Sequence, residues 1–509
     1  MLFSCVLALS SLTVKTSIKE EQKSTATPIK HLVVIFDENS SFDHYFGTYP
    51  IAKNPPGEPQ FHAAPHTPIP NNYISHPNLL TNNPNLANPQ RIDRVDLTVR
   101  GNNHGYKWEQ EDYDGGKVDK FVQVNGYKTT MNYFDGNTVT ALWNYAQHFA
   151  MSDNAFCTTY GPTLVGHLNL ISGQTHGVIV YSNGVTSGRA KELYLGKKGY
   201  PPSSIISNRT VIQNIAPYYD NTTHTVSIAM TGKNIGDLLN SKHITWGYFK
   251  GGFHDPSNTV KSLTGRISKE YSSYEEPFQY YESTANPDHL YPTSVAMIGH
   301  QDRANHQYDI KEFWQAADSG NLPAVSFIKA PSFETGHPGT SNPLDEQIFL
   351  VNTINNIQKL STWKSTAIII TYDDSDGWYD QVMPPLVNGS QDPKNDRLFG
   401  IGNTGVHKPV LGGYQDRAGY GPRLPFLVIS PYAKQDFIAH TVINQASILR
   451  FIEDNWHLSR IGGASFDAIS GSIDNMFNFK HLYDNKLFLD QNTGEPIPAS
   501  KAPVPNMNF

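Results

Sequence analysis

His31-Leu32-Val33-Val34-Ile35-Phe36-Asp37-Glu38-Asn39 joins an unbroken apolar run to three residues that carry side-chain oxygens. A run without polar alternation reads as a strand buried on both faces, as in a sheet covered by helices on each side. Ala367-Ile368-Ile369-Ile370-Thr371-Tyr372-Asp373-Asp374 repeats the design. In open α/β sheets ligands bind beyond the carboxyl ends of the strands, so acids and amides released there face one crevice. Further apolar runs at Thr225–Met230, Ala324–Ile328 and Pro425–Ser430 are expected in the same central sheet. Helical spacing appears between the runs, at Val139–Phe149, Ile235–Leu239, Leu344–Leu360 and Gln445–Trp456. The alternation predicts α/β architecture.

At 509 residues the chain has room for several domains, but no apolar-poor linker or internal repeat divides it. One large domain over 25–509 is the expectation. Residues 53–92, rich in Pro and Asn, read as a long irregular insertion that forms an active-site rim or surface arm. Pro496–Pro505 reads as an extended tail. A formal net charge of -7, with no run of Lys or Arg, argues against a nucleic-acid groove. Residues 2–14 form a short apolar stretch that reads as the core of an export signal within 1–24, which predicts a secreted or periplasmic protein. Cys5 lies inside that stretch, so its removal leaves Cys157 alone and no internal disulfide. No later segment has the length and purity of a membrane span, and any membrane contact is expected to be peripheral.

Glu38, Asn39, Asp373 and Asp374 together would make an oxygen-rich site suited to a divalent cation. Each pair alone also fits ordinary turn chemistry, which favours Asp and Asn. Tyr160-Gly161-Pro162-Thr163 precedes Leu164, Leu168 and Ile171 at helical spacing. That pattern predicts Thr163 as the first cap, its hydroxyl at a helix N-terminus where free N–H groups and the dipole favour phosphate. A nucleophile would sit well there, and so would a plain cap. Of the 20 histidines, His104, His300, His306 and His337 lie in polar or Gly-rich settings. His337 follows the strand Ala324–Ile328, on the rim that carries the acidic pairs. The GxxxxGK[ST], HExxH and GxSxG motifs are absent, which removes P-loop, zincin and ordinary serine-lipase chemistry. Cys157 lacks the Pro and Arg that would follow a sulfatase-type modified cysteine.

The order of these pieces resembles the bacterial and plant non-specific phospholipases C and related acid phosphatases. The resemblance runs from Phe36-Asp37-Glu38-Asn39-Ser40-Ser41-Phe42-Asp43-His44-Tyr45-Phe46-Gly47 through Asn103-His104, Gly115-Gly116-Lys117-Val118-Asp119 and Gly161-Pro162-Thr163. It continues through Leu168–Gln174, Ala304–Asp309, His337-Pro338-Gly339, Ile370–Asp380 and Gly421-Pro422-Arg423 to Asn455-Trp456, covering residues 28 to about 456. It implies an alkaline-phosphatase-like α/β/α sandwich, three layers around a mostly parallel sheet with insertions. It also implies one divalent metal ion (Zn, Ca or Mg) held by Glu38, Asn39, Asp373 and Asp374, with the Thr163 hydroxyl completing the shell. Thr163 matches the family's nucleophile, and His104 and His337 match histidines that contact phosphate or assist the leaving group. One stretch departs from the pattern. Where the family commonly has His-His before Pro-Phe-Gln-Tyr-Tyr, this chain has Tyr274-Glu275-Glu276-Pro277.

The reading that follows is a phospholipase C, cleaving glycerophospholipids such as phosphatidylcholine through a phosphothreonine. Metal would activate Thr163, His337 would serve the leaving oxygen, and Asn39 and His104 would hold the non-bridging oxygens. A broad acid phosphatase acting on soluble monoesters is the alternative within the class. A non-catalytic surface protein that binds phosphate or carbohydrate is the alternative outside it.

Overall fold

The computed structural model describes residues 25–193, 201–405, 409–483 and 485–503. Its central sheet is built from β1 (His31–Asp37), β2 (Ala150–Ser152), β3 (Trp246–Lys250), β4 (Gln307–Tyr308), β5 (Val325–Lys329), β6 (Thr366–Tyr372), β7 (Phe426–Ile429) and β8 (Phe437–Ala439). Their order in space is β4-β3-β5-β1-β6-β7-β2-β8. β7 runs antiparallel to both its neighbours, and the rest of the sheet is parallel. β1 lies inside, between β5 and β6, so both of its faces are covered and its run needs no polar side.

Neighbouring side chains of β1 identify the two covering layers. The Phe36 ring meets the His167 ring edge-on at 4.9 Å, which places the helix Thr163–Ser172 on that face. Asp37 pairs in register with Tyr372, whose hydroxyl donates to Glu346 in the helix Pro343–Ile357. Successive strand residues point to opposite faces, so the two helices lie on opposite sides and the protein has the expected three layers. The helix Ala446–Asn455 packs beside Thr163–Ser172, and Thr140–His148 packs beside Pro343–Ile357.

One expected strand belongs elsewhere. Ser227–Met230 does form from the run at 225–230, but it pairs with Val178–Tyr181 in a separate four-stranded sheet. An apolar run specifies burial and not the partner, and here an antiparallel neighbour supplies it. β3 takes the place beside β5, with the sequence Trp-Gly-Tyr-Phe-Lys. Residues 53–92 hold a single short 3-10 turn, Pro77–Leu80. Residues 2–14, Cys5 and the end of the chain beyond 503 lie outside the described residues. Among the described residues no helix is long and apolar enough to cross a membrane.

The loops at the carboxyl edge are tied by one buried arginine. Arg423 Nε lies 3.1 Å from both oxygens of Asp380, and its Nη2 donates to Asp43 Oδ1 at 3.1 Å. Its Nη1 donates to the carbonyls of Asn71 and Asp153. Asp43 follows β1, Asp380 follows β6 and Asn71 belongs to the 53–92 segment. At the C-terminal end of the helix Pro343–Ile357, the amides of Asn355 and Gln358 pair with the backbone of Leu489 and Leu487, laying residues 487–489 along it. Arg423→Met is expected to strand two fully buried carboxylates and to cost ~3–5 kcal/mol in urea unfolding. A loss below about 1 kcal/mol, the range of an exposed pair, would show that the triad does not hold the edge.

Candidate active site

Register brings the first two ligand candidates together. Phe36 pairs with Thr371 and Asp37 with Tyr372, so Glu38 and Asp373 leave adjacent parallel strands side by side. Both are fully buried. The Lys329 ammonium, at the end of β5, is ion-paired with Glu38 Oε1. His167 Nε2 lies 4.0 Å from Glu38 Oε1, and His167 Nδ1 lies 3.9 Å from Asp373 Oδ2. His167 Nδ1 is also 2.8 Å from the Thr163 carbonyl. A carbonyl only accepts, so Nδ1 carries the hydrogen and Nε2 presents a lone pair, the arrangement that usually orients a metal-binding imidazole. Glu38, His167 and Asp373 each offer a ligand atom within 4.8 Å of the others.

Asn39 and Asp374 complete the acidic and amide set. Asn39 takes the left-handed backbone, with φ 61°, so that its N–H donates to Asp373 Oδ1 at 3.0 Å and its Nδ2 to Asp376 Oδ1 at 3.3 Å. Asp374 Oδ1 accepts from the Asp376 N–H at 2.7 Å. Glu38 Oε2, Asn39 Oδ1, Asp373 Oδ2, Asp374 Oδ2 and His167 Nε2 are buried without a hydrogen-bond partner. Burial first, and then neighbouring carboxylates, push Asp373 and Asp374 well above the ordinary carboxylate range. Buried charge of this kind is stable when a cation answers it. These oxygens and one imidazole nitrogen are a donor set that fits a divalent cation.

Thr163 stands at the start of its helix, but not as its cap. Pro162 occupies that position with extended backbone, and Thr163 is the first helical residue. A side chain there cannot turn back onto the first-turn N–H groups, and Asn214 Oδ1 takes the Leu164 N–H at 2.9 Å instead. Among the described residues the Thr163 hydroxyl has no hydrogen-bond partner. Gly166 explains how closely this helix abuts the acids, since a Cβ there would lie 2.1 Å from the Asp373 carbonyl oxygen.

The two expected histidines flank the cluster. His104 Nδ1 is 2.8 Å from the Asn102 carbonyl and 3.2 Å from Asp376 Oδ1. Burial, with a smaller contribution from His337 close by, lowers its pKa to about 4. His337 Nδ1 is 2.7 Å from the Pro338 carbonyl, which leaves Nε2 as its free nitrogen. In the stretch that departs from the His-His pattern, Glu275 is buried and 2.9 Å from Lys250, with Lys329 and His337 also within electrostatic reach. His300 and His306 line a different cavity, of about 240 Å³.

Three residues of this site escape a reading of the sequence. His167 is four residues past Thr163, a helical spacing that shares a face. Lys329 is one residue past an apolar run, where an ammonium is easily read as the solvated end of a strand. Asp376 follows the acidic pair and joins Asn39 to His104.

The Phosphoesterase family pattern matches residues 29–459. The chain is 24% identical to a non-hemolytic phospholipase C of Burkholderia pseudomallei over 89% of its own length and 60% of the relative's. It is 22% identical to a non-hemolytic phospholipase C of Pseudomonas aeruginosa, over 94% and 61%. A non-specific phospholipase C of Arabidopsis thaliana is 24% identical, over 87% and 69%. The chain thus spans about three fifths of the length of these bacterial relatives. A murine ectonucleotide pyrophosphatase / phosphodiesterase overlaps 74% of this chain and 98% of its own, at 10% identity and a TM-score of 0.31, too low to carry an argument.

Dialysis of the purified protein against a strong chelator is expected to release a divalent cation, measured by elemental analysis, and to lower the melting temperature, which re-added metal restores. His167→Ala is expected to retain less metal than the unsubstituted protein. Metal-free protein with an unchanged melting temperature would contradict the assignment of these donors to a cation.

Proposed function

The chain belongs to the Phosphoesterase family, and from that premise we propose that it is a metal-dependent phosphoric ester hydrolase. Its substrates are glycerophospholipids such as phosphatidylcholine, and its products diacylglycerol and a phosphorylated head group. One observation carries the reading: a hydroxyl without a hydrogen-bond partner among the described residues, Thr163, begins the helix that also brings His167 within 4.0 Å of Glu38 Oε1, the oxygen paired with Lys329, and within 3.9 Å of the unpartnered Asp373 Oδ2. Glu38, Asn39, Asp373, Asp374 and the Thr163 hydroxyl would hold the ion, with His167 beside them. Such an ion supplies Lewis acidity toward phosphoryl oxygens and favours an ionised hydroxyl.

The chain's own groups account for the remaining steps. Thr163 gives its proton to solvent water, and its oxygen bonds to phosphorus as the bond from phosphorus to the glyceryl oxygen breaks. Protonated His337 gives its Nε2 hydrogen to that oxygen and releases diacylglycerol. Neutral His337 then accepts a proton from water, which attacks phosphorus and frees Thr163, whose oxygen takes its proton back from solvent. Proton transfer of this kind is typically worth about 10²–10⁴ in rate. His104 and Asn39 hold the non-bridging oxygens. We further propose an exported protein that meets its lipid at the membrane surface through peripheral contact.

Two measurements test this reading. Purified protein is expected to release phosphocholine from phosphatidylcholine vesicles faster than phosphate from a soluble monoester. The reverse order would make it an acid phosphatase, and no turnover of either would reject hydrolysis. Because Thr163 is not a cap, Thr163→Ala and Thr163→Asn are expected to melt within a few degrees of the unsubstituted protein while turnover falls by several orders of magnitude. Thr163→Ser should stay active. A folded Thr163→Asn enzyme with near-normal turnover would exclude the nucleophile. Likewise, His337→Ala is expected to slow lipid esters more than nitrophenyl esters, because a general acid matters most for the more basic leaving oxygen. Equal slowing of both would assign His337 to binding alone.

A further inference from the structure

Glu109 lies in the helix Tyr106–Tyr113, fully buried, with each carboxylate oxygen engaged by a different loop of the site. Its Oε2 accepts the Gly161 N–H at 2.8 Å, and its Oε1 accepts the Ser375 hydroxyl at 2.9 Å. Gly161 is two residues before Thr163, and Ser375 directly follows Asp373 and Asp374. Burial raises the Glu109 carboxyl to about 8 even though these two donors lower it. A carboxylate so placed is an expensive way to join two loops unless both contacts matter.

We propose that Glu109 is a positioning residue that locks the Gly161-Pro162-Thr163 turn against the Asp373–Asp376 turn, and so sets the Thr163 hydroxyl relative to the metal-binding oxygens. Local geometry makes the lock specific. Gly161 has φ 132°, and a Cβ there would meet the Val165 side chain at 2.9 Å, so the turn is held through its backbone. Ser375 Oγ also accepts the Gly377 N–H at 3.1 Å. At Gly377 a Cβ would lie 2.5 Å from the Asn103 carbonyl, and the Asn102 N–H donates to Asp376 Oδ2 at 3.2 Å. His104 lies one residue before Gly105, the N-cap of the helix that carries Glu109. One rigid helix therefore fixes the phosphate-side histidine at its start and clamps the nucleophile and ligand loops one turn further on.

The inference rests on the proposed role of Thr163, and its test separates the two. Steady-state kinetics on a soluble phosphodiester, bound metal and melting temperature are measured on the metal-loaded enzyme for Glu109→Ala, Glu109→Gln, Ser375→Ala, the double variant Glu109→Ala/Ser375→Ala, and Thr163→Ala. Asn355→Ala, which loses the distant contacts to Leu489, serves as a destabilised control. Misplacement of a reacting group by about 1 Å can cost about 10²-fold in rate. Glu109→Ala is therefore expected to lower kcat about 100-fold, with KM and metal content within about three-fold. Glu109→Gln keeps one acceptor and is expected to lose less. Ser375→Ala should add little once Glu109 is gone, because both act through one contact. Asn355→Ala is expected to lower the melting temperature and keep its kcat. If Glu109→Ala does not fold, Glu109→Gln and Ser375→Ala decide the matter by the same split. Near-normal kcat in the folded Glu109 variants, with Thr163→Ala inactive, would overturn the clamp and leave the nucleophile standing. An active Thr163→Ala would overturn the underlying reading instead.

Discussion

Glu38 and Asp373 are released side by side because β1 and β6 run parallel in register, and the rest of the site answers that crowding. Taking carboxylates out of water costs several kcal/mol each unless cations or donors compensate them. Lys329 supplies one fixed positive charge to Glu38, and the N–H groups of Asn39 and Asp376 satisfy single oxygens of Asp373 and Asp374. Five donor atoms of Glu38, Asn39, His167, Asp373 and Asp374 still have no partner, and a divalent cation is what that arrangement suits. The helix Thr163–Ser172 can approach it because Gly166 has no side chain to meet Asp373.

A second network holds this cluster without belonging to it. Asp43 and Asp380 sit in the same motifs as Glu38 and Asp373, a few residues further along, and both bind Arg423. The motifs therefore mix two jobs: Glu38, Asn39, Asp373 and Asp374 face the candidate site, while Asp43, Asp380 and Arg423 pin the loops behind it. Glu275 shows a further change of chemistry. Where the resemblance leads one to expect a His-His pair, the chain buries the Glu275 carboxyl against Lys250, an ion pair at the edge of the site.

Much of this was legible in the sequence, for physical reasons. Interior strands of a parallel sheet must be apolar on both faces, so His31–Phe36 and Ala367–Thr371 stand out, and the acids behind them mark the carboxyl edge. Ser227–Met230 is equally apolar yet lies in another sheet, because composition reports burial and not pairing. β3 was hidden by its aromatics, Gly247 and terminal Lys250. Thr163 was legible at a helix N-terminus but was read there as the cap, a position that the extended backbone of Pro162 takes instead. His167, Lys329 and Glu109 matter through contacts with residues distant in the chain, which spacing does not disclose.

The central claim is that the Thr163 oxygen becomes bonded to phosphorus during turnover, and that bond can be looked for directly. Metal-loaded protein mixed with excess phosphodiester, quenched in acid within one turnover and digested, is expected to yield a peptide containing Gly161-Pro162-Thr163 that carries on Thr163 one phosphoryl group with its remaining ester substituent, seen by mass spectrometry. That adduct on another residue, or none on any peptide at any quench time while product accumulates, would contradict the account.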